Sequence, residues 1–341
     1  MKNILFVCPT HRDLRELCKE NISLDYNMIF YGNDASEQLE TFDPIDFIDE
    51  VLAKFRNKNL DGVMSTDDYP GCIISNIVAR EFGLPFVDPE KIFLCQHKYY
   101  SRQAQLKLVS ESVPKFALIN PYAKNSEKLE CKFPFFIKPV KSFFSVFANK
   151  VENYSEFNRI LESVKSHLPK FVKPFNQLLK KYGNFELNAN YLIAEQLLEG
   201  QQVTLEGYVY NNKIEIMGIV DSIMFPNTIC FKRFDYPSNL NKEIQNRMAE
   251  IAEKFISGIK FNNGNFNIEM IYNPKNKEIS IIEINPRMDS QIADIIEMVD
   301  GTNTYEIQLA LSVGKQPYFK RNLGKYKTAS SFVLRTFEDK K

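Results

Sequence analysis

Asn267-Ile-Glu-Met-Ile-Tyr272, a polar turn, and then Ile281-Ile-Glu-Ile-Asn-Pro-Arg-Met288 form the stretch on which the reading of this chain turns. Side chains alternate between the faces of a strand, so Glu283 and Asn285 project together while Ile282 and Ile284 point the other way. With the Asn273 to Glu278 segment as the loop of a hairpin, Ile271 pairs with Ile281 and Glu269 falls opposite Glu283. Like charges about 5 Å apart repel by roughly 3 kcal/mol at an effective dielectric of about 20, so the pair asks for a neutralising cation or a shared proton. Carboxylate and amide oxygens suit magnesium, which also binds substrate phosphates. Arg287 adds a positive fork for a phosphate or carboxylate. A solvated acidic face on an ordinary hairpin explains the same residues taken alone.

The chain has 341 residues, room for about two or three domains with sizeable cores. Forty-three basic residues balance 43 acidic ones, so no net field draws nucleic acid or a membrane surface. Six cysteines are scattered with no CxxC, a pattern of reduced thiols in a cytosol rather than of a disulfide framework or zinc site. His11, His97 and His167 form no ligand spacing. No apolar run approaches a membrane span, and Asn3 to Cys8 reads as a strand with no signal-peptide pattern before it. The expectation is a soluble cytoplasmic protein with neither nucleic acid nor membrane as partner.

Ile4 to Cys8 and Gly62 to Ser65 read as strands, Thr10 to Glu20 as a possible helix, and Cys72 to Phe82 as a helix that stops at Gly83-Leu-Pro85. No GxGxxG accompanies them, so nothing local argues for a dinucleotide. A helix from Gln96 to Leu108 precedes strands at Lys115 to Ile119 and Phe133 to Pro139. Ser155 to Leu168 fits a helix capped by Ser155, with Phe157, Ile160, Leu161 and Val164 as its buried stripe. Pro169 to Asn190 has little pattern and reads as an insertion. Strands follow at Tyr191 to Glu195, Val203 to Tyr210, Ile214 to Val220 and Thr228 to Phe231, then a helix over Asn241 to Ile256. Strand runs broken by single helices indicate α+β lobes behind an α/β domain.

Lys138 ends an apolar strand, so its stem is expected to be buried and its ammonium aimed. In the following Lys141-Ser-Phe-Phe-Ser145, the hydroxyls of Ser142 and Ser145 and an ammonium could face phosphates, although a plain turn accounts for them equally. Glu195 to Gln202 connects two strands and could offer backbone groups to a flat heterocycle while Gln202 reaches a sugar.

The order of these pieces resembles the ATP-grasp superfamily over nearly the whole chain. Glu269 followed by Glu283-Ile-Asn285-Pro-Arg287 is the most specific match. Phe135-Phe-Ile-Lys138-Pro resembles the strand that carries a nucleotide-phosphate lysine, and Lys98 in His97-Lys-Tyr-Tyr-Ser-Arg102 matches the family's earlier phosphate lysine. The resemblance implies an ATP-grasp fold of α/β and α+β character: a Rossmann-like α/β domain (1–95), a small lid lobe with its leading helix (96–195), a large lobe with the metal site (196–315) and a C-terminal segment (316–341). The two α+β lobes would enclose the nucleotide. Glu269 and Glu283 would hold magnesium, with manganese as a substitute, and Asn285 would complete the site. Arg287 would steady the reacting group, Lys98 and Lys138 the phosphates, Glu195 and Leu198 the adenine, and Gln202 the ribose.

The implied activity is an ATP- and magnesium-dependent ligase that joins a carboxylate to an amine, or to a thiol, through an acyl phosphate. Its substrates would be amino acids or other small molecules, and a homodimer is compatible with it. Two departures stand out. Lys141 to Ser145 lacks the glycines usual in that loop, and Gln202 stands where a glutamate commonly grips the ribose. They keep open a nucleotide-binding relative with little or no turnover, and a small-molecule kinase is the other alternative.

Overall fold

Parallel strands buried on both faces read as continuous apolar runs, and Ile4 to Val7 is such a run, without exposure. It belongs to β1 (Lys2–Val7), which lies between β2 (Tyr26–Tyr31) and β3 (Gly62–Met64) in a three-stranded parallel sheet. The computed structural model describes residues 1–19, 22, 24–123, 131–143, 146–226 and 228–336. Helix α1 (His11–Leu17) starts from a capping box between Thr10 and Asp13, inside the expected Thr10 to Glu20 segment. The sequence reading missed β2 and α2 (Pro44–Phe55), although Asp43 caps α2 and Pro44 opens it. Helix α3 (Gly71–Glu81) covers β3. Since β2 and β3 flank β1 on opposite sides, the carboxyl ends of β1 and β3 form a topological switch point, where Cys8 and the Ser65–Asp68 segment lie.

Helix α4 (Pro89–Gln96) ends at His97, whose extended ψ of 95° starts α5 (Lys98–Leu108) afresh, so the expected Gln96 to Leu108 helix begins two residues late. A four-stranded antiparallel sheet follows, ordered β4 (Phe116–Ile119), β7 (Leu192–Gln196), β5 (Phe135–Pro139), β6 (Asn149–Val151). Helix α6 (Tyr154–Lys165) buries Phe157, Ile160, Leu161 and Val164 as expected. Its cap is Asn153, which accepts the Glu156 amide at 3.0 Å, and Ser155 lies within the first turn. The supposed patternless insertion folds as α7 (Leu168–Phe171) and α8 (Lys173–Tyr182), which buries Phe175, Leu178 and Leu179 at helical spacing. Pro169 and Pro174 sit in the first turns of these two helices and hid that periodicity.

The third sheet is six-stranded and antiparallel, ordered β12 (Ile279–Asn285), β11 (Gly264–Tyr272), β8 (Gln201–Tyr210), β9 (Lys213–Met224), β10 (Phe231–Tyr236), β13 (Ala329–Phe332). The strand expected from Thr228 starts only at Phe231, because Thr228 bonds back to the Phe225 carbonyl through its amide at 3.2 Å and its hydroxyl at 3.0 Å. Helix α9 (Lys242–Gly258), capped by Asn241, buries Met248, Ala252, Phe255 and Ile256. Helices α10 (Ala293–Asp300) and α11 (Thr304–Ser312) close the order, and α11 touches both β3 and β11. No helix among the described residues is long and apolar enough to cross a membrane.

Gly200 ends the short connector between β7 and β8 at φ +140°, and an added Cβ would collide with the Tyr272 carbonyl. This close approach sets the start of β8 beside the end of β11, where Gln201 pairs with Tyr272. Gly200→Ala is therefore expected to lose roughly 1–3 kcal/mol of stability, read from the denaturant midpoint. A midpoint equal to wild type would show that the approach relaxes without cost.

Candidate active site

The β11–β12 ladder sets Glu269 directly opposite Glu283 and Asn267 opposite Asn285. The expected pairing of Ile271 with Ile281 is off by one: Ile271 meets Ser280, and a β-bulge leaves Ile282 as the extra residue. The bulge also changes which isoleucines are buried. Ile281 and Ile284 lie in the core while Ile282 is half-buried, in place of the simple alternation of Ile282 with Ile284.

Each carboxylate of the pair has a partner from another element. Gln202 donates its amide Nε2 to Glu269 Oε2 at 3.1 Å. Lys98, buried in the first turn of α5, places Nζ 2.8 Å from Glu283 Oε1 and donates to the Ser142 carbonyl at 3.1 Å. Burial first, and then the charge of Glu283, push the Glu269 carboxyl up to about 7, with Arg287 pulling it back. A carboxylate held up in this way lacks positive charge, and an all-oxygen set of Glu269, Glu283 and Asn285 fits a hard divalent cation. Other acidic residues converge elsewhere, at Glu16, Asp294 and Glu297, but Lys19 bridges all three and Arg15 pairs with Glu16 and Asp294.

One turn along α5 from Lys98, Arg102 sets Nε 2.6 Å from Glu195 Oε1 and donates Nη2 to the Ile282 carbonyl at 2.9 Å. Lys138 Nζ lies 2.9 Å from Glu195 Oε2. Burial would raise the Glu195 carboxyl, but Arg102 and Lys138 outweigh it and hold the group at about 2. The Glu195 side chain is thus shared between two cations inside β7, and the connector proper runs only from 197 to 200. Leu198 lies half-buried in that connector.

The loop after Lys138 is fixed by aromatic packing. Phe143 stacks on Phe171 of α7 at 5.5 Å between centroids and lies 5.8 Å from Tyr69, whose hydroxyl accepts the Phe175 amide at 2.8 Å. Lys141 is buried with Nζ 4.8 Å over the Tyr69 ring, and its burial lowers its pKa while Asp68 raises it. Ser142 is buried beside Lys98, and Ser145 lies outside the described residues.

Past the hairpin, Asn285 donates its amide to Asn267 Oδ1 at 2.8 Å. Arg287 Nε lies 3.4 Å from Asp68 Oδ1 of the parallel domain, and the Cys72 thiol of α3 reaches the Pro286 carbonyl at 3.4 Å. Burial opposes the Arg287 charge, but Asp68, Asp289, Glu206 and Glu269 together raise its pKa. Glu206 is fully buried, and desolvation followed by Asp289 pushes its carboxyl well up.

The hairpin pair therefore gathers Lys98 on Glu283 and Gln202 on Glu269, with Asn285 and Arg287 following on the same strand and its exit, while Lys138 and Glu195 form a separate buried pair. The ATP-grasp domain family matches residues 131–296, from the strand with Lys138 through the hairpin with Arg287. The chain carries an ATP-grasp domain over those residues.

Solved structures with the ATP-grasp fold superpose over most of this chain. An L-amino acid ligase from Bacillus licheniformis aligns with 17% identity and a TM-score of 0.79, over 98% of this chain and 81% of that one. Phosphoribosylglycinamide synthetase from Anaerococcus prevotii gives 18% and 0.63, over 93% and 76%. Biotin carboxylase from Campylobacter jejuni gives 16% and 0.67, over 94% and 73%. At such identities the likeness is one of fold. A comparison with curated proteins found no match.

Around this site, Arg102 and Asp68 carry contacts that sequence reasoning did not assign. Arg102 stands four residues from Lys98, a helical spacing that puts both on one face, and Asp68 follows a strand at its carboxyl end. Those two signals could have found them.

Glu195→Ala would strand two buried cations, with an expected loss of about 3–5 kcal/mol in denaturant unfolding. The folded carboxyl titrates at about 2 against an ordinary 4.5, so its contribution is fully present above pH 4.5 and is lost as the pH falls toward about 2. An alanine variant with wild-type midpoint and wild-type acid sensitivity would contradict the buried triad.

Proposed function

We propose that this protein is an ATP- and magnesium-dependent ligase that joins a small-molecule carboxylate to an amine, or to a thiol, and releases ADP and phosphate. The observation that carries this reading is the register pair of Glu269 and Glu283, with Lys98 on Glu283 and with Asn285 and Arg287 following on the same strand and its exit. The resemblance in fold to a protein named as an L-amino acid ligase supports amino acids as the first substrates to test.

In this reading Glu269, Glu283 and Asn285 hold magnesium, or manganese in its place. The bound ion supplies charge neutralisation at the nucleotide phosphates. Lys98 and Lys138 bind phosphate oxygens with Ser142 and Ser145, the connector that follows Glu195 and holds Leu198 receives adenine, and Gln202 reaches the ribose. Lys98 lies 2.8 Å from Glu283, so in this reading one ammonium can serve both the metal-binding carboxylate and the phosphate oxygens.

A substrate carboxylate oxygen attacks the γ-phosphorus as the bond to the β–γ bridging oxygen breaks and ADP leaves. The neutral amine then attacks the acyl carbon of the acyl phosphate and expels inorganic phosphate. Arg287, kept charged by surrounding carboxylates, stabilises the negative charge that develops on the transferring group. No covalent enzyme intermediate is needed, because positioning and charge neutralisation suffice for phosphoryl transfer.

Hydroxylamine supplied in place of the amine tests the reading. With the correct acid, ATP and magnesium, it is expected to intercept the acyl phosphate as a hydroxamate with stoichiometric ADP. Arg287→Ala should cut that yield roughly 100-fold or more while leaving nucleotide affinity within about threefold. AMP and pyrophosphate as products would move the chemistry to adenylation, and a stable phosphorylated product without a hydroxamate would make the protein a kinase.

A further inference from the structure

Asp68 stands at the switch point between the carboxyl ends of β1 and β3, the place where open α/β sheets bind ligands, and it meets the exit of the hairpin through Arg287. Its Oδ1 lies 3.4 Å from Arg287 Nε. Lys141, Arg287 and Lys98 outweigh the cost of its burial and keep it ionised. Beside it, Gln96 at the end of α4 is buried at 3% exposure and donates Nε2 to the Asp68 carbonyl at 2.8 Å and to Oδ1 at 3.5 Å. The other amide atom, Gln96 Oε1, is buried and has no hydrogen-bond partner among the described residues. A buried acceptor left unpaired is costly, and the amide that carries it reaches the Asp68 carboxylate through Nε2.

We propose that Asp68, with Gln96 beside it, receives the ammonium group of the acid that is activated, so that the site selects α-amino acids over acids lacking that charge. The inference rests on the ligase reading for the role of Arg287 and adds the substrate class. An ammonium brings three donors and no acceptor, which suits a carboxylate and an amide oxygen together. When a substrate carboxylate draws on Arg287, it removes compensation from Asp68 and sets a second anion near it. An acid without an ammonium leaves that repulsion standing. In an α-amino acid the two opposite charges are joined through one carbon, which matches the direct contact of Asp68 with Arg287. Asp68 is thus a specificity-determining residue, distinct from one that only orients Arg287.

The test is calorimetric binding, with magnesium and a non-hydrolysable ATP analogue, of each standard amino acid and of the 2-hydroxy analogue of the best binder. Wild type is expected to prefer the amino acid by at least ~10-fold, and Asp68→Asn to narrow that preference to below ~3-fold. Asp68→Glu, which keeps the charge, should retain a preference for the ammonium form. A wild-type protein that binds both acids equally, or neither, overturns the inference whether or not the variants fold. Equal proportional losses for both acids in a folded Asp68→Asn protein overturn it too, and would leave Asp68 as a positioning residue for Arg287. ADP release and hydroxamate formation with these acids, measured in parallel, report on the ligase reading separately: selective binding without turnover supports the ammonium site and sinks the ligase, and unselective turnover does the reverse.

Discussion

Two like charges held face to face across one β-ladder set the conditions for everything around them. Glu269 and Glu283 cannot move apart, because the backbone pairs on either side fix their register. The cleft answers with single contacts from separate elements: the amide of Gln202 from β8 and the ammonium of Lys98 from α5. Side chains on a paired ladder lose little further freedom when an ion binds, so a site built this way is largely organised in advance.

Helix α5 is the clamp between the two antiparallel sheets. Its residues Lys98 and Arg102 lie one turn apart on the same face. Lys98 joins Glu283 of the large sheet to the Ser142 carbonyl of the loop after β5, and Arg102 joins Glu195 of the small sheet to the Ile282 carbonyl at the bulge. The bulge, which looks like an irregularity in the hairpin, sits where that guanidinium lands. The loop beyond Lys138 lacks glycine and is held instead by Phe143 against Phe171 and Tyr69, so the small sheet, the α7–α8 segment and the parallel domain share one aromatic contact. Aromatic pairs of this kind add about 0.5–1.5 kcal/mol beyond area burial, enough to fix a short loop.

Much of this was legible in the sequence because alternation and helical periodicity survive in a linear reading. The opposition of Glu269 and Glu283 followed from strand alternation and a short turn, and the buried stripe of α6 from its spacing. The bulge was not legible, since one extra residue leaves the composition of the strand unchanged while moving Ile282 out of the ladder. The environment of Glu195 was hidden for another reason. Nothing local shows that Arg102 and Lys138 converge on it, so a residue that looked like part of a connector is a buried acid held at about 2. Asp68 faces Arg287 only because β3 ends at the switch point of a separate sheet, a relation that exists in the fold and not along the chain.

The most direct measurement is the affinity of a non-hydrolysable ATP analogue, by calorimetry, with and without magnesium, for wild type and for the Glu269→Gln, Glu283→Gln double variant. Amide replacements remove the paired charge at nearly constant shape. Wild type is expected to bind the analogue at least ~10-fold more tightly with magnesium, about 1.4 kcal/mol, and the double variant is expected to lose that gain while remaining folded. A magnesium gain that persists in a folded double variant would contradict the assignment of the hairpin pair as the cation site.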